Sequence, residues 1–223
     1  MLLVTDPQKF RASLGVNIIA SRISPREFRR MIDSVATISD QIVIVFDHRA
    51  PPVLYSIGQE YNADIYYRPW SYDFALQRNV ALAATWTDYV FWIDTDEYIR
   101  RDVAMRIRSL MRDTRGKAYY VWQGSPTGDG KFILVPQVRI FPNLPAVEWE
   151  IPIHEQNLPS LVRAGVRTQV TDLRVEHTGY WSEGLVKAKN LRNLEILRTR
   201  VNQVPGDAFS RRNYQNAIAY ERL

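Results

Sequence analysis

The sequence contains no cysteine. That absence excludes disulfides, zinc–thiolate sites and a cysteine nucleophile, and it permits a reducing compartment. No apolar run approaches the roughly 20 residues of a membrane-spanning helix. The opening residues, Met1 to Pro7, hold no basic segment followed by a long apolar one. This argues against a signal peptide, so a cytoplasmic location is expected. No internal repeat or low-complexity tract is evident. The segment Ala20-Ser21-Arg22-Ile23-Ser24-Pro25 has no glycine, so no glycine-rich phosphate loop follows the first apolar run. What is present is the balance of a folded protein. Of 223 residues, 46% are hydrophobic and 24% charged, enough for one substantial core. The net charge is +5 and the pI about 9.5. Such a balance favours anionic partners, although the basic residues are scattered and are compatible with ordinary solvated helices.

Leu14 to Ala20 reads as a first strand. Ser24, Pro25 and Glu27 form a helix start, with Ser24 as cap and Pro25 at the first helical position. Phe28, Met31, Ile32 and Val35 then recur at helical spacing to about Ile38. Gln41 to Phe46 is a second buried strand, Pro51 to Tyr61 a helix, and Asp64 to Arg68 a short strand. Ser71 to Thr85 reads as a third helix whose Phe74, Val80, Ala81 and Ala84 face the sheet. Asp88 to Ile93 is a fourth strand, and Arg101 to Arg112 a helix. This alternation predicts a parallel sheet covered on both faces. Past a soft boundary at Arg115-Gly116 the character changes. Ala118 to Trp122, Lys131 to Val135 and Gln137 to Phe141 read as short strands, with a turn at Thr127-Gly128-Asp129-Gly130. Thr168 to His177 reads as another strand. Glu183 to Val201 is a long basic helix, broken by Pro205-Gly206-Asp207 before a last helix over Ala208 to Arg222.

The chemistry concentrates in Tyr89-Val90-Phe91-Trp92-Ile93-Asp94-Thr95-Asp96-Glu97. A buried strand ends there in three carboxylates, at the position where open α/β sheets bind ligands. Asp94 and Asp96 could share a divalent cation and, through it, a diphosphate. They could equally be two acids that end a strand and cap the next segment. Asp94-Thr95-Asp96 ends the fourth strand rather than the first, which excludes a phosphatase of the haloacid-dehalogenase type.

Taken in order, several segments resemble one family. They are Ile42 to Asp47, Phe74 to Leu82, Val90 to Glu97, Arg139-Ile140-Phe141-Pro142-Asn143, Ile153-His154-Glu155 and Glu176-His177-Thr178-Gly179-Tyr180. Their order and spacing resemble the family 2 glycosyltransferases with the GT-A fold, in particular the bacterial and phage branch with a helical C-terminus. The likeness runs from about Val16 to Tyr180. It departs from the family after the first strand, where Ala20-Ser21-Arg22 stands, and after the second, where Asp47-His48-Arg49 replaces Asp-Gly-Ser.

The resemblance implies an α/β GT-A domain over residues 1–180, with a donor half at about 14–115 and an acceptor half at about 116–180. A helical segment occupies 181–223. The implied reaction is a metal-dependent transfer of a sugar from a nucleotide-diphosphate sugar, with a UDP-sugar favoured, to an unknown acceptor with inversion. The resemblance places the donor against Ala20, Asp47, Arg78 and Asp94. Mn²⁺ or Mg²⁺ would sit at Asp94, Asp96 and His177, since hard carboxylate oxygens and imidazole suit these ions. Glu155 would serve as catalytic base, with Glu97, Glu148 and Glu150 as rivals, and His154 would position acceptor or diphosphate. Each has a plainer reading: Asp47 a turn acid, Arg78 a surface cation, Glu155 an exposed loop carboxylate, His177 a structural imidazole. Trp149 and Trp181 are candidate acceptor platforms beside the two histidine motifs. The acceptor class, whether glycan, lipid-linked sugar, protein or modified DNA, is open. A non-enzymatic reading also stands, in which Lys187, Lys189, Arg192, Arg198, Arg200, Arg211 and Arg212 bind nucleic acid.

Overall fold

A computed structural model describes residues 11–126, 131–177 and 183–221, with side chains described from 189 to 218 in the last segment. The turn expected at 127–130 and the candidate platform Trp181 lie outside the described residues.

The first half is built as the apolar pattern dictates. Strands β1 (Leu14–Ala20), β2 (Gln41–Phe46), β3 (Asp64–Tyr67) and β4 (Tyr89–Trp92) are parallel and stand in the order β3-β2-β1-β4. Helices α1 (Pro25–Ala36), α2 (Pro52–Glu60), α3 (Phe74–Ala83) and α4 (Arg101–Leu110) connect and follow them. Phe28, Met31, Ile32 and Val35 of α1 and Val103, Ala104 and Ile107 of α4 bury one face of the sheet, while Ala81 of α3 packs on Val43 and Val45 of the other. The start of α1 is set locally. Ser24 Oγ accepts from the Glu27 N–H at 3.2 Å and donates to Glu27 Oε2 at 2.5 Å. Helix α3 begins three residues later than the pattern suggests, because Asp73 Oδ1 accepts the Leu76 N–H at 2.9 Å and so caps the helix at Phe74. Phe74 does not face the sheet. It packs with Trp70 against Ile153, Ile196 and Leu197.

Arg115 and Gly116 both adopt left-handed backbone, φ 47° and 66°, and turn the chain into the second half. Strands β6 (Ala118–Pro126) and β7 (Phe132–Pro142) form an antiparallel pair, and β7 pairs antiparallel with β4. Helix α5 (Leu158–Arg163) precedes β8 (Thr168–His177), which runs parallel to β6. A three-residue strand, β5 (Glu97–Ile99), pairs antiparallel with the end of β8. The described strands form one continuous sheet, β3-β2-β1-β4-β7-β6-β8-β5.

Three differences from the sequence reading have physical causes. The two short strands expected on either side of Pro136 are one strand. Proline is tolerated there because β4 pairs only with residues 140–142, so the edge of β7 at Pro136 carries no ladder. Strand β5 has too few residues to show a period and exists through its pairing with β8. Helix α5 is a single turn and a half, below the length at which periodicity is visible.

Helices α6 (Glu183–Gln203) and α7 (Ala208–Glu221) close the chain. Ile196 and Leu197 of α6, with Tyr214 and Ala217 of α7, pack on Ile153, Phe74 and Trp70 at the end of the sheet that carries the candidate acids. No helix among the described residues is long and apolar enough to cross a membrane.

Candidate functional site

The C-terminal ends of β1, β2 and β4 bring Ala20, Asp47 and Asp94 to one edge of the parallel sheet, where ligands of α/β proteins collect. Asp47 is buried. Its Oδ1 accepts the Arg49 N–H at 2.7 Å, and its Oδ2 accepts Arg49 Nε at 3.0 Å. Burial alone would raise its pKa. Hydrogen bonds from the Arg49 side chain and backbone and from Ser21 outweigh burial and hold the carboxyl below its ordinary value. The Asp47 N–H donates to the Ala20 carbonyl at 3.2 Å, which ties these two strand ends together.

Arg78 is the hub of the next group. It leaves α3 as a buried side chain, 4.2 Å from the Trp92 ring centre and 5.0 Å from that of Trp149. Its Nη2 donates to Asp94 Oδ1 at 2.8 Å and its Nε to Glu155 Oε1 at 2.7 Å. Burial works against its charge, but the two carboxylates more than offset this and keep the guanidinium charged. Asn79, the next residue, exchanges two hydrogen bonds with the backbone of Trp149, at 2.8 and 2.9 Å. The Phe74 N–H donates to the Pro152 carbonyl at 2.8 Å. Helix α3 therefore holds the segment that carries His154 and Glu155. Left-handed backbone at Ile151 (φ 71°) and His154 (φ 56°) shapes this segment. His154 is exposed, whereas the Glu155 side chain is only 14% exposed. Glu155 is therefore a sheltered, paired carboxylate rather than an open loop acid.

Asp96 faces elsewhere. The β5–β8 pairing sets Glu97 opposite His177, and this brings His177 Nε2 to 3.1 Å from Asp96 Oδ2. Ser125 Oγ lies 3.3 Å from the other ring nitrogen. Lys189 Nζ of α6 lies 3.6 Å from the same Asp96 oxygen. Burial would raise the Asp96 pKa, but the His177 hydrogen bond and the charges of His177 and Lys189 bring it below the ordinary value. The same hydrogen bond raises the pKa of His177 against the opposing effect of burial. Asp94 and Asp96, two residues apart, thus hold different partners: a guanidinium for the first, an imidazole and an ammonium for the second.

Glu97 separates from both. It is buried and receives both terminal nitrogens of Arg139, at 2.5 and 2.7 Å, with both side chains fully shielded from solvent. Its Oε2 also accepts the Asp94 N–H at 2.9 Å, and Gln123 donates to its Oε1 at 2.6 Å. Arg139 lies 4.0 Å from the centre of the Trp92 ring. Glu97 is thus a buttress of the acidic turn, not a base open to an acceptor. Arg139, which the sequence reading left without a role, is its counter-ion. The signal in the sequence was an arginine within the apolar run Val138 to Phe141. The other rival bases, Glu148 and Glu150, pair with Arg163.

Trp149 is 5% exposed and packs edge-on against Trp92 and Phe141, so it is a core residue and not an acceptor platform. Trp70 is better placed: Arg49 lies 5.0 Å from its ring centre and Phe74 packs against it at 4.6 Å. A groove of about 1060 Å³ lies between α1, α2 and α4, lined by Arg29, Tyr98 and Met105, and contains none of the candidate residues.

Among the described residues, no three His, Asp or Glu side chains cluster as a ready-made metal cage. The chemistry of the donor set still fits a divalent ion. One carboxylate (Asp96) and one imidazole (His177) converge, and Mg²⁺ or Mn²⁺ at nucleotide sites characteristically takes one or two protein ligands and completes its shell with phosphates and water.

No family model matches the chain. A TPR repeat-containing protein of Synechococcus elongatus is 25% identical over 186 residues, which cover 78% of this chain and 45% of that protein. Among solved structures, S. aureus TarS is similar with a TM-score of 0.60 at 14% identity, covering 85% of this chain and 40% of TarS. Its 1–349 fragment in complex with UDP gives 0.60 at 14% identity over 92% of this chain and 70% of the fragment, and the fragment is also solved with UDP-GlcNAc. The 4-diphosphocytidyl-2C-methyl-D-erythritol synthase of Anaerococcus prevotii gives 0.53 at 13% identity, covering 81% and 96% of the two chains. The chain thus spans less than half of its curated relative and of full-length TarS. At these identities the likeness is one of architecture, and the architecture is the GT-A fold: a mixed sheet flanked by helices, with strand ends gathered at one edge.

Proposed function

We propose that this chain transfers a sugar from a nucleotide-diphosphate sugar, with a UDP-sugar favoured, to an acceptor hydroxyl with inversion at the anomeric carbon. The observation that carries the reading is the divergence of Asp94 and Asp96 at the end of β4. Two carboxylates two residues apart are held by Arg78 and by His177, next to a sheltered Glu155. The solved complexes of TarS with UDP and UDP-GlcNAc, on the same fold, support the choice of donor.

In this reading Ala20 and Asp47 line the base, and Asp94, oriented by Arg78, faces the ribose or a cation-bound water. Asp96 and His177 would hold Mn²⁺ or Mg²⁺, which supplies positive charge to the diphosphate as its bond to the sugar breaks. Glu155 accepts the proton of the attacking hydroxyl. The acceptor oxygen bonds to the anomeric carbon while the bond to the diphosphate opens, and the electron pair leaves with the nucleoside diphosphate. His154, exposed beside Glu155, positions the acceptor. The transferase unit is assigned to residues 1–180, and α6 and α7 pack on its Ile153, Phe74 and Trp70.

Thermal shift against a panel of nucleotide sugars, with and without Mn²⁺, tests this. The expected result is a donor that raises the melting temperature of the intact protein and requires Mn²⁺, with the shift lost in Asp96→Ala. Absence of any nucleotide-sugar shift in the intact protein would overturn the reading. A product whose anomeric configuration by NMR matches the donor would overturn inversion.

A further inference from the structure

We propose that helix α6 supplies a cationic clamp for the diphosphate, with Arg192 as its principal donor and Lys189 as its second. The inference rests on the nucleotide-sugar reading for the identity of the ligand, but its geometry is independent of that reading.

Helical spacing aligns Lys189, Arg192 and Ile196 on one face of α6. Ile196 is 1% exposed and packs with Ile153, Phe74 and Trp70, so this face is turned to the candidate site. The ammonium of Lys189 consequently reaches to 3.6 Å from Asp96. One turn on, the half-buried guanidinium of Arg192 lies 5.0 Å from the centre of the Phe74 ring. Phe74 packs at a tilt against Trp70, with ring centres 4.6 Å apart, and Arg49 lies 5.0 Å from the Trp70 ring centre. Two guanidinium groups thus flank one aromatic pair, but their donors are used differently. Arg49 is committed to Asp47. Among the described residues Arg192 donates only to the neutral Asn193 Oδ1, at 2.9 and 3.2 Å, and no carboxylate lies within ion-pair distance of it.

A sheltered cation without a counter-ion is costly and invites an anion. Burial, and then the nearby charge of Arg49, depress the pKa of Arg192, while Glu155 and Asp96 act on it from farther than contact distance. The guanidinium therefore stands among the site acids without being neutralised by any of them. The arrangement also sets the class of anion. Two cations one helical turn apart, beside the Asp96–His177 pair, match a ligand bearing several negative oxygens, and a planar guanidinium suits phosphoryl oxygens. A diphosphate leaving group gains charge as the sugar departs, so donors fixed at its oxygens favour the transition state. A nucleic-acid surface fits less well. Farther along the helices Arg200 pairs with Asp207 and Arg211 turns to the Pro205 carbonyl, so these two cations are already engaged within the chain.

The test is calorimetric titration of the intact protein, Arg192→Gln and Lys189→Gln with three probes: inorganic pyrophosphate, UDP and uridine. Circular dichroism melts confirm that the variants are folded. Arg192→Gln is expected to weaken pyrophosphate and UDP about tenfold or more, and Lys189→Gln by less, with uridine unchanged. Arg192→Lys should recover part of the loss. Equal weakening of UDP and uridine, or an unchanged UDP affinity in Arg192→Gln, would overturn the clamp while leaving the transferase reading intact. Pyrophosphate binding that depends on Arg192 in a protein that binds no UDP or UDP-sugar would retain the clamp and remove the UDP-sugar as donor. Failure of the intact protein to bind pyrophosphate and UDP would remove both the clamp and the UDP-sugar as donor.

Discussion

Asp96 and Glu97 are adjacent in the chain and share one short turn, yet the fold gives them opposite roles. Glu97 is sealed from solvent, receives two nitrogens of Arg139 and accepts the Asp94 N–H. Asp96 keeps 28% of its side chain exposed and is met by an imidazole and an ammonium. A carboxylate whose lone pairs are fully occupied by fixed donors in a dry setting organises structure. One held by partners that can be exchanged for a cation or a ligand is available for chemistry. The comparison extends to Arg78 and Arg139, which lie 4.2 and 4.0 Å from the Trp92 ring centre. Arg139 locks the buttress, and Arg78 links Asp94 to Glu155 at the opening of the site.

The largest effect should come from breaking the buttress. Arg139→Met leaves the Glu97 charge buried without its partner and should cost about 3–5 kcal/mol of unfolding free energy. Urea denaturation measures this. The double variant Arg139→Met with Glu97→Gln should recover part of the loss, because no unpaired charge remains. An equally stable Arg139→Met would end the distinction drawn between the two acids.

Asp96→Asn should do the reverse. Unfolding free energy should change by less than about 1 kcal/mol, as is usual for partly exposed ion pairs. Sugar transfer should fall by about 10²–10³, as when a group stabilising developing charge is lost. A stability loss as large as that of Arg139→Met would instead place Asp96 among the structural acids.

Glu155→Gln separates proton transfer from positioning. As the proposed base it should lower kcat by about 10² while KM for the donor changes little. A rise in KM with kcat unchanged would assign Glu155 to holding Arg78 rather than to the acceptor proton.

Two surface sites calibrate the exposed end of the comparison. Ser24→Ala removes the cap of α1 and should cost about 1 kcal/mol by urea denaturation. The hydroxyl and then the backbone N–H of Ser13 hold the carboxyl of Asp88 below its ordinary pKa. A depressed carboxylate contributes stability that is present above its unfolded pKa of about 3.9 and is lost as pH falls through its lower folded value. Asp88→Asn should therefore flatten the acid limb of the stability–pH curve below about pH 4, and leave its shape at neutral pH unchanged.

Much of the framework was legible because it is encoded locally. The apolar run Ile42 to Phe46, the Ser24-x-x-Glu27 cap and the abrupt end of Tyr89 to Ile93 in acids each state their structure within a few residues. The harder cases depend on distant partners. Strand β5 needs β8, some 80 residues on, and Pro136 is tolerated only because β4 stops short of it. Trp149 beside a histidine motif suggested a platform, but its burial is decided by Trp92 and Phe141.

By itself the sequence determined the alternating α/β order, the end of the fourth strand as the acidic locus, and the set of acids, histidines and arginines available there. Local pattern suffices for these, since propensity, capping and apolar periodicity act over a few residues. Only the tertiary structure decided how those groups are divided: Asp94 to Arg78, Asp96 to His177 and Lys189, Glu97 to Arg139, and Arg192, among the described residues, to no carboxylate. Charge pairing depends on distance and burial, and both are set when strands and helices far apart in the chain pack together.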